Sequence, residues 1–461
     1  MSIIRNVRWW IAGQFVPFLR GPDTQHVRQK NIWHLYQDLG WLGLASAAST
    51  YIDVFAIRLG ASNQLIGLRA SLPALLVVLL RIPAAQLIER SSSRKSLIVK
   101  SLAVGRLLYL LLFLLPWLAN LPLLRQIPRA PLLVWTVILM GIPGVLAAAG
   151  WDTFFADVVP DHQRARVVSV RNAMANMITL TIVPLMGSFL DWAAFPANYQ
   201  IIFLVAFGGA LLSTWHVNRI QTSEMPLVTG RRRKFDLREV RGIVQTSREF
   251  SLILLGTFVY QWGISLASPL FNIYYIQELG ASDSWIGWRI TLVSVASIAA
   301  YRFWPRRIET KGESTIISLA TPMMALFPLL TGLTRSLTPN LFIVVIPGFF
   351  GAAVMLARYN ILLRVSPDDR RPMYIAIYAI LVNVAAFLAP LVGVSIAEWV
   401  GLPGVFFISA GLRLAAGLIY GRLPRPSQAP ASDLAPVDLR MPDAKTSPSA
   451  DGSPSCDGPG A

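Results

Sequence analysis

Apolar residues run along this chain in stretches of twenty or more, separated by short clusters of arginine, lysine and acid. Stretches of that length cross the ~30 Å hydrocarbon core of a bilayer at a rise of about 1.5 Å per residue. The pattern predicts twelve helical spans, at 35–57, 63–88, 97–119, 131–156, 167–191, 198–218, 251–277, 284–305, 314–334, 340–362, 372–397 and 402–421. Prolines fall inside several of them without ending them, because neighbouring helices satisfy the freed carbonyls. The predicted organisation is an N-terminal segment (1–34), a six-helix half (35–218), a basic linker (219–250), a second six-helix half (251–421) and a tail (422–461). The tail turns to Pro, Ser, Ala and Asp, which cannot bury a core, and is expected to be disordered.

Composition supports a membrane solvent. Hydrophobic residues make up 54% of the chain and charged residues 14%, against roughly 25% charged in soluble domains. The net charge of +17 does not point to nucleic acid, because the basic residues are dispersed between spans. The connections 89–95, 157–166, 219–248, 302–313 and 363–371 hold 20 of them, whereas the opposite connections hold four: Arg58, Arg125, Arg129 and Arg335. That asymmetry places both termini in the cytoplasm and the protein in the cell membrane. The N-terminal stretch is broken by Arg5 and Arg8 and reads as a basic segment or an interfacial helix, not a cleaved leader. The one cysteine, Cys456, and four scattered histidines give no metal spacing, and no Walker loop is present. No cofactor, metal or enzymatic activity is expected.

The halves repeat. LGASNQLIGLR at 59–69 and LGASDSWIGWR at 279–289 share seven identities at a constant offset of 220. Later, Pro184-Leu185-x-Gly187 and Asp191-Trp192 resemble Pro390-Leu391-x-Gly393 and Glu398-Trp399. Each half crosses the membrane an even number of times, so the repeat is parallel, about an axis along the membrane normal.

On these grounds the chain resembles the major facilitator superfamily over about residues 31–421. That family carries Gly-x-Leu-Ala-Asp-Arg-x-Gly-Arg-Arg/Lys between its second and third helices. Here Leu87, Glu89, Arg90 and Arg94-Lys95 follow that pattern, with one extra residue and neither glycine. The resemblance implies an all-α membrane protein of twelve transmembrane helices in two pseudo-symmetric halves. It also implies a cytoplasmic gate, for which Glu89, Arg90, Arg94, Asp157 and Arg164 are the candidates, and a central cavity lined by the first, fourth, seventh and tenth helices. A fifth-helix motif of the antiporter branches, Gly-Pro-x-x-Gly-Gly, keeps only Pro184 and Gly187, which leaves the direction of transport open.

Polar groups at membrane depth are functional candidates, because lipid penalises them unless they are paired or hydrated. In the first span Asp38, Ser46, Ser49, Thr50 and Asp53 share a sector about 120° wide. In the seventh, Gln261, Ser265, Ser268, Asn272 and Tyr275 recur at helical spacing beside Trp262. Superposed through the 220-residue repeat, the two stripes are rotated by a quarter-turn or more. Arg358, in the tenth span, joins these as a cavity residue. Arg81 and Asp152 lie at similar depth and are expected to form a buried pair. Arg69 and Arg289, equivalent in the repeat, read as anchors, and Arg106 and Arg413 as snorkelling or paired cations. Asp53 is the candidate for a coupling carboxylate, with Arg69 as the nearest cation.

These features predict alternating-access transport of a small neutral or amphipathic solute. Export by a monomer, driven by an ion gradient that is expected to be of protons, is the favoured reading. The alternatives are a symporter for polar nutrients and a non-transporting scaffold or sensor of the same fold.

Overall fold

The computed structural model describes residues 27–91, 93–122, 124–222, 247–368 and 370–424. Most of the predicted linker, nearly all of the tail and most of the N-terminal segment therefore fall outside the described residues.

Among the described residues ten helical runs are long and apolar enough to cross a membrane; they trace eleven crossings, and the eighth span makes the twelfth. Two crossings merge in Arg371–Tyr420, which breaks at Gly401 with φ 73°. The eighth span, Asp283–Lys311, is not among the ten, because charge and Ser, Thr and Trp dilute its hydrophobic residues. The remaining spans are Asn63–Arg90 (second), Arg94–Leu118 (third), Arg129–Val158 (fourth), Asp161–Trp192 (fifth), Ala197–Arg219 (sixth) and Arg248–Ile273 (seventh). The ninth combines Glu313–Met323 with Leu326–Leu333, and the tenth Leu337–Ile343 with Val345–Val365.

The first span departs from its predicted limits at both levels of detail. Its helix starts at Val27, eight residues before the expected 35, and is interrupted after Ser49 before resuming as Ile52–Arg58. The early start has a partner: the Asn31 side chain donates to Gln221 O at 2.7 Å and accepts from Gln221 N at 2.9 Å. His34 and His216, both buried, face each other with their Nδ1 atoms 2.9 Å apart. The end of the sixth span thus supplies polar contacts that let the first helix continue.

Large apolar side chains lie on the outer surface, including Trp192, Trp399, Leu418 and Phe342. Such a surface suits lipid. Trp192 and Trp399 are equivalent in the repeat and stand where aromatic residues favour the bilayer interface. The chain is a multi-pass membrane protein.

Candidate functional site

The shared segment 59–69/279–289 closes one end of the bundle, here termed the hairpin end. Leu59-Gly60-Ala61-Ser62 and Leu279-Gly280-Ala281-Ser282 form the same turn twice. Gly60 and Gly280 take φ of 82° and 68°, a conformation that costs glycine little. Ala61 and Ala281 are buried. Ser62 and Ser282 then cap the next helix, their hydroxyls accepting from the N–H groups of Leu65 and Trp285.

The next shared glycine lets the halves touch. A Cβ on Gly67 would lie 2.7 Å from Val394 Cγ2 and 3.4 Å from Pro390 O, on the eleventh span. A Cβ on Gly287 would lie 2.6 Å from Tyr51 Oη and 3.1 Å from Pro184 Cα, on the first and fifth spans. The halves thus meet along two antiparallel helix pairs, second with eleventh and fifth with eighth. The break after Ser49 puts Tyr51 beside the second of these crossings, where its hydroxyl donates to Val183 O at 2.7 Å.

Polar contacts fasten this end. Asp191 accepts from the backbone N–H groups of Asp283 and Ser284 at 2.8 and 2.9 Å. A carboxylate is favoured there by the positive end of the eighth helix. The equivalent acid, Glu398, accepts from the Gln64 side chain, and Gln64 is the counterpart of Ser284. Arg58 adds an ion pair to Asp283 at 2.9 Å and a hydrogen bond to Ala281 O at 3.2 Å. Every cross-half hydrogen bond described in the structure lies at this end. The sequence had marked Asp191 and Glu398 as repeated, but not as a clasp.

Behind the clasp lie the two polar stripes. Asp53 pairs with Arg69 at 2.7 Å, and Asn272 accepts from Arg289 at 2.8 Å. Neither arginine is a simple interfacial anchor. These pairs are equivalent once the register is read at the correct depth. The seventh span ends in a π-turn, Tyr274–Glu278, which adds a residue before the shared turn. Above it the offset is 220; below it the offset is 219, which pairs Ser46 with Ser265, Ser49 with Ser268 and Asp53 with Asn272. The quarter-turn mismatch read from sequence is this one residue, worth about 100° of helix.

Other stripe residues take local partners. Ser49 Oγ is 2.8 Å from Tyr109 Oη, Thr50 donates to Ser46 O at 3.4 Å, and Gln261 donates to Ser265 at 2.8 Å. Ser46 and Ser268 are exposed, Tyr275 is buried under Arg289 at 5.1 Å, and the Trp262 indole N–H is buried without a hydrogen-bond partner. Arg358 places its guanidinium 5.6 Å from the Tyr260 ring and 5.9 Å from the Tyr378 ring.

Asp38 belongs to a different assembly. It is 1% exposed and meets Arg106 at 3.6 Å and Arg171 at 3.3 Å, with Ser213 donating to it. Arg106 also reaches Ala210 O at 3.0 Å and Thr214 at 2.5 Å. Arg171 was not singled out from sequence, since an arginine near a helix start resembles the loop charges around it.

At the opposite end the expected gate is partly described. The side chains of Glu89 and Arg90 lie outside the described residues. Arg94 opens the third span, and no ion pair joins it to Asp157 among the described residues. Asp157 is exposed. Arg164 donates to Ala156 O at 2.7 Å and Val159 O at 3.1 Å, and pairs with Asp161 at 2.7 Å. It thus caps the carbonyl end of the fourth span, where a cation is favoured.

Arg81 and Asp152 line one cavity of 510 Å³ between the second and fourth spans, with Leu76 and Trp151. Both are exposed, and no ion pair within 4.0 Å joins them among the described residues. The expected buried pair is therefore not formed: other protein atoms cover neither side chain at this cavity, so packing does not force the two together.

A sequence profile of the Major Facilitator Superfamily matches residues 36–252 and 253–448. The chain is 26% identical over 181 residues to the multidrug resistance protein MdtG of Citrobacter koseri, covering 38% of this chain and 44% of that protein. The protein of the same name from Dickeya zeae is 27% identical over 172 residues, covering 36% and 42%. The chain thus spans less than half the length of these curated relatives. Among solved structures, a bacterial homologue of the iron transporter ferroportin in an inward-facing state superposes with a TM-score of 0.66 at 12% identity, over 85% of this chain and 97% of that one. A bacterial metal transporter superposes with a TM-score of 0.62 at 14% identity, over 86% and 97%. At such identities the likeness is one of fold.

Proposed function

The chain belongs to the major facilitator superfamily, and on that footing we propose that it carries a small solute across the membrane by alternating access. The observation that carries this reading is the pseudo-symmetric clasp. It joins the halves at one end through one ion pair, Arg58–Asp283, and a few hydrogen bonds, each hydrogen bond worth only about 0.5–1.5 kcal/mol. A seal of that kind holds one state and opens cheaply into the other. With both termini in the cytoplasm, as the basic connections favour, the clasp would close the outer face.

The favoured cargo is an amphipathic compound, moved outward by a monomer in the cell membrane at the expense of a proton gradient. The relatives named for multidrug resistance support export. Asp53 supports proton coupling. Its carboxylate stands directly behind the clasp, tied to Arg69 on the next span, with 23% of its side chain exposed and Oδ1 buried without a hydrogen-bond partner. Protonation of Asp53 would release Arg69 and loosen the first span from the second.

Reconstitution in proteoliposomes tests both levels. Saturable counterflow of an amphipathic solute is expected, and Asp53→Asn is expected to keep that exchange while losing proton-driven accumulation. Absence of saturable exchange would contradict the transport reading. Normal accumulation by Asp53→Asn would contradict the coupling role alone.

A further inference from the structure

The second half differs from the first in how it treats buried cations. Its predicted spans contain Arg289, Arg302, Arg358 and Arg413 and no aspartate or glutamate. Arg413 is 2% exposed and donates to Met324 O at 2.9 Å. Arg289 donates to Asn272, and Arg302 is exposed. Arg358 has a different setting. It is half-buried between the rings of Tyr260 and Tyr378, and its Nη1, like the Nε of Arg289 and of Arg413, is buried without a hydrogen-bond partner. Seven residues separate it from the end of Val345–Val365, which places it about 10 Å from the end of the bundle opposite the clasp.

We propose that Arg358 receives the anionic group of the transported compound, so that the substrate class is amphipathic organic anions, carboxylates or sulfonates joined to an apolar body. The inference rests on the proposed transport function, with Arg358 on its substrate path. A guanidinium at membrane depth is costly without a counter-charge. Elsewhere the chain satisfies such cations itself, with an acid, as Asp38 does for Arg106 and Arg171, or with carbonyl oxygens, as Met324 does for Arg413. Cation–π contact with two tyrosines offsets only part of that cost. The planar fork of Arg358 matches a carboxylate or sulfonate, and the half-buried Tyr378 ring offers apolar area to the body of the same ligand. A bound anion would neutralise the site, whereas a bound cation would add repulsion to it.

The test uses the purified full chain and three matched series of ligands. Alkyl and aryl carboxylates are compared with their primary amides and with trimethylammonium analogues, the readout being melting temperature against ligand concentration. Ligands that bind the native state raise it. The carboxylates are expected to stabilise saturably and the other two series weakly or not at all. Arg358→Gln should weaken carboxylate binding about tenfold or more, and Arg358→Lys less. If amides or ammonium compounds stabilise as well as the acids, or if Arg358→Gln keeps full affinity, the anion assignment falls while the transport reading stands. If no series stabilises the unmodified chain, the substrate path itself is contradicted, and the anion assignment with it. The charge comparison runs on the unmodified chain, so a variant that does not fold leaves the test decisive.

Discussion

The two halves share a fold, a turn motif and a clasp, yet they neutralise their arginines differently. In the first half Arg69, Arg106 and Arg171 each meet a carboxylate, at 2.7, 3.6 and 3.3 Å. In the second, Arg289 meets an amide, Arg413 a backbone carbonyl and Arg358 two aromatic faces. Asp53 and Asn272 make the contrast sharpest, because they occupy equivalent positions and differ only in charge. Pseudo-symmetry therefore preserves geometry, the feature that lets two halves rock against each other. Charge has been free to diverge, and the divergence gives each half its own task. On the proposed reading, coupling chemistry falls to the half that carries Asp53 within a span, and ligand charge to the half whose predicted spans hold no acid.

The largest effect is expected where the first half's charges are most buried. Asp38→Asn leaves Arg106 and Arg171 without their shared carboxylate and should destabilise the protein by about 3–5 kcal/mol. In the second half, Arg413→Met removes hydrogen bonds to carbonyls only, and should cost about 1–3 kcal/mol. Thermal unfolding of both variants in detergent checks the order, and an equal or reversed loss would break the comparison.

The clasp should also respond unequally. Ala at 287 comes within 3.1 Å of backbone at Pro184 as well as meeting the Tyr51 hydroxyl, whereas Ala at 67 meets the Val394 side chain and comes no nearer to backbone than 3.4 Å. Overpacking against backbone costs about 1–3 kcal/mol, and contact with a side chain that can turn away costs less. Gly287→Ala is therefore expected to raise labelling of a cysteine placed at Ser49 from the hairpin side, and Gly67→Ala to raise it little. Equal labelling would show that the two crossings bear the seal alike.

The smallest effect comes from exchanging the equivalent polar residues. Asp53→Asn should cost no more than about 1 kcal/mol, since the pair is partly exposed. Asn272→Asp should recover a similar amount by giving Arg289 a carboxylate. A double variant whose melting temperature stays at that of Asp53→Asn would contradict the register assigned across the π-turn.

Much of this was legible in the sequence. Spans followed from the length of apolar runs, and the turns from Gly60 and Gly280 in repeated context. The register of the seventh span was not, because one extra residue in a helix leaves apolar composition unchanged and shifts only the angle. Partners such as Arg171 for Asp38, or Asp283 for Arg58, join residues 133 and 225 positions apart. No local pattern encodes such a meeting. Arg81 and Asp152 show the converse: similar depth suggested a pair, but depth alone does not say whether a site is dry.

The central claim is that the clasp opens and closes as a unit between two halves. Trp192 and Trp399 stand at the hairpin ends of the fifth and eleventh spans, one in each half, and are 83% and 89% exposed, so labels there should disturb little. Spin labels at Trp192→Cys and Trp399→Cys, in a chain carrying Cys456→Ser, report the separation by pulsed electron resonance. Two distances are predicted, with the longer one gaining population when an amphipathic carboxylate and low pH are supplied at the hairpin side. A single distance that no ligand or pH gradient shifts would contradict alternating access.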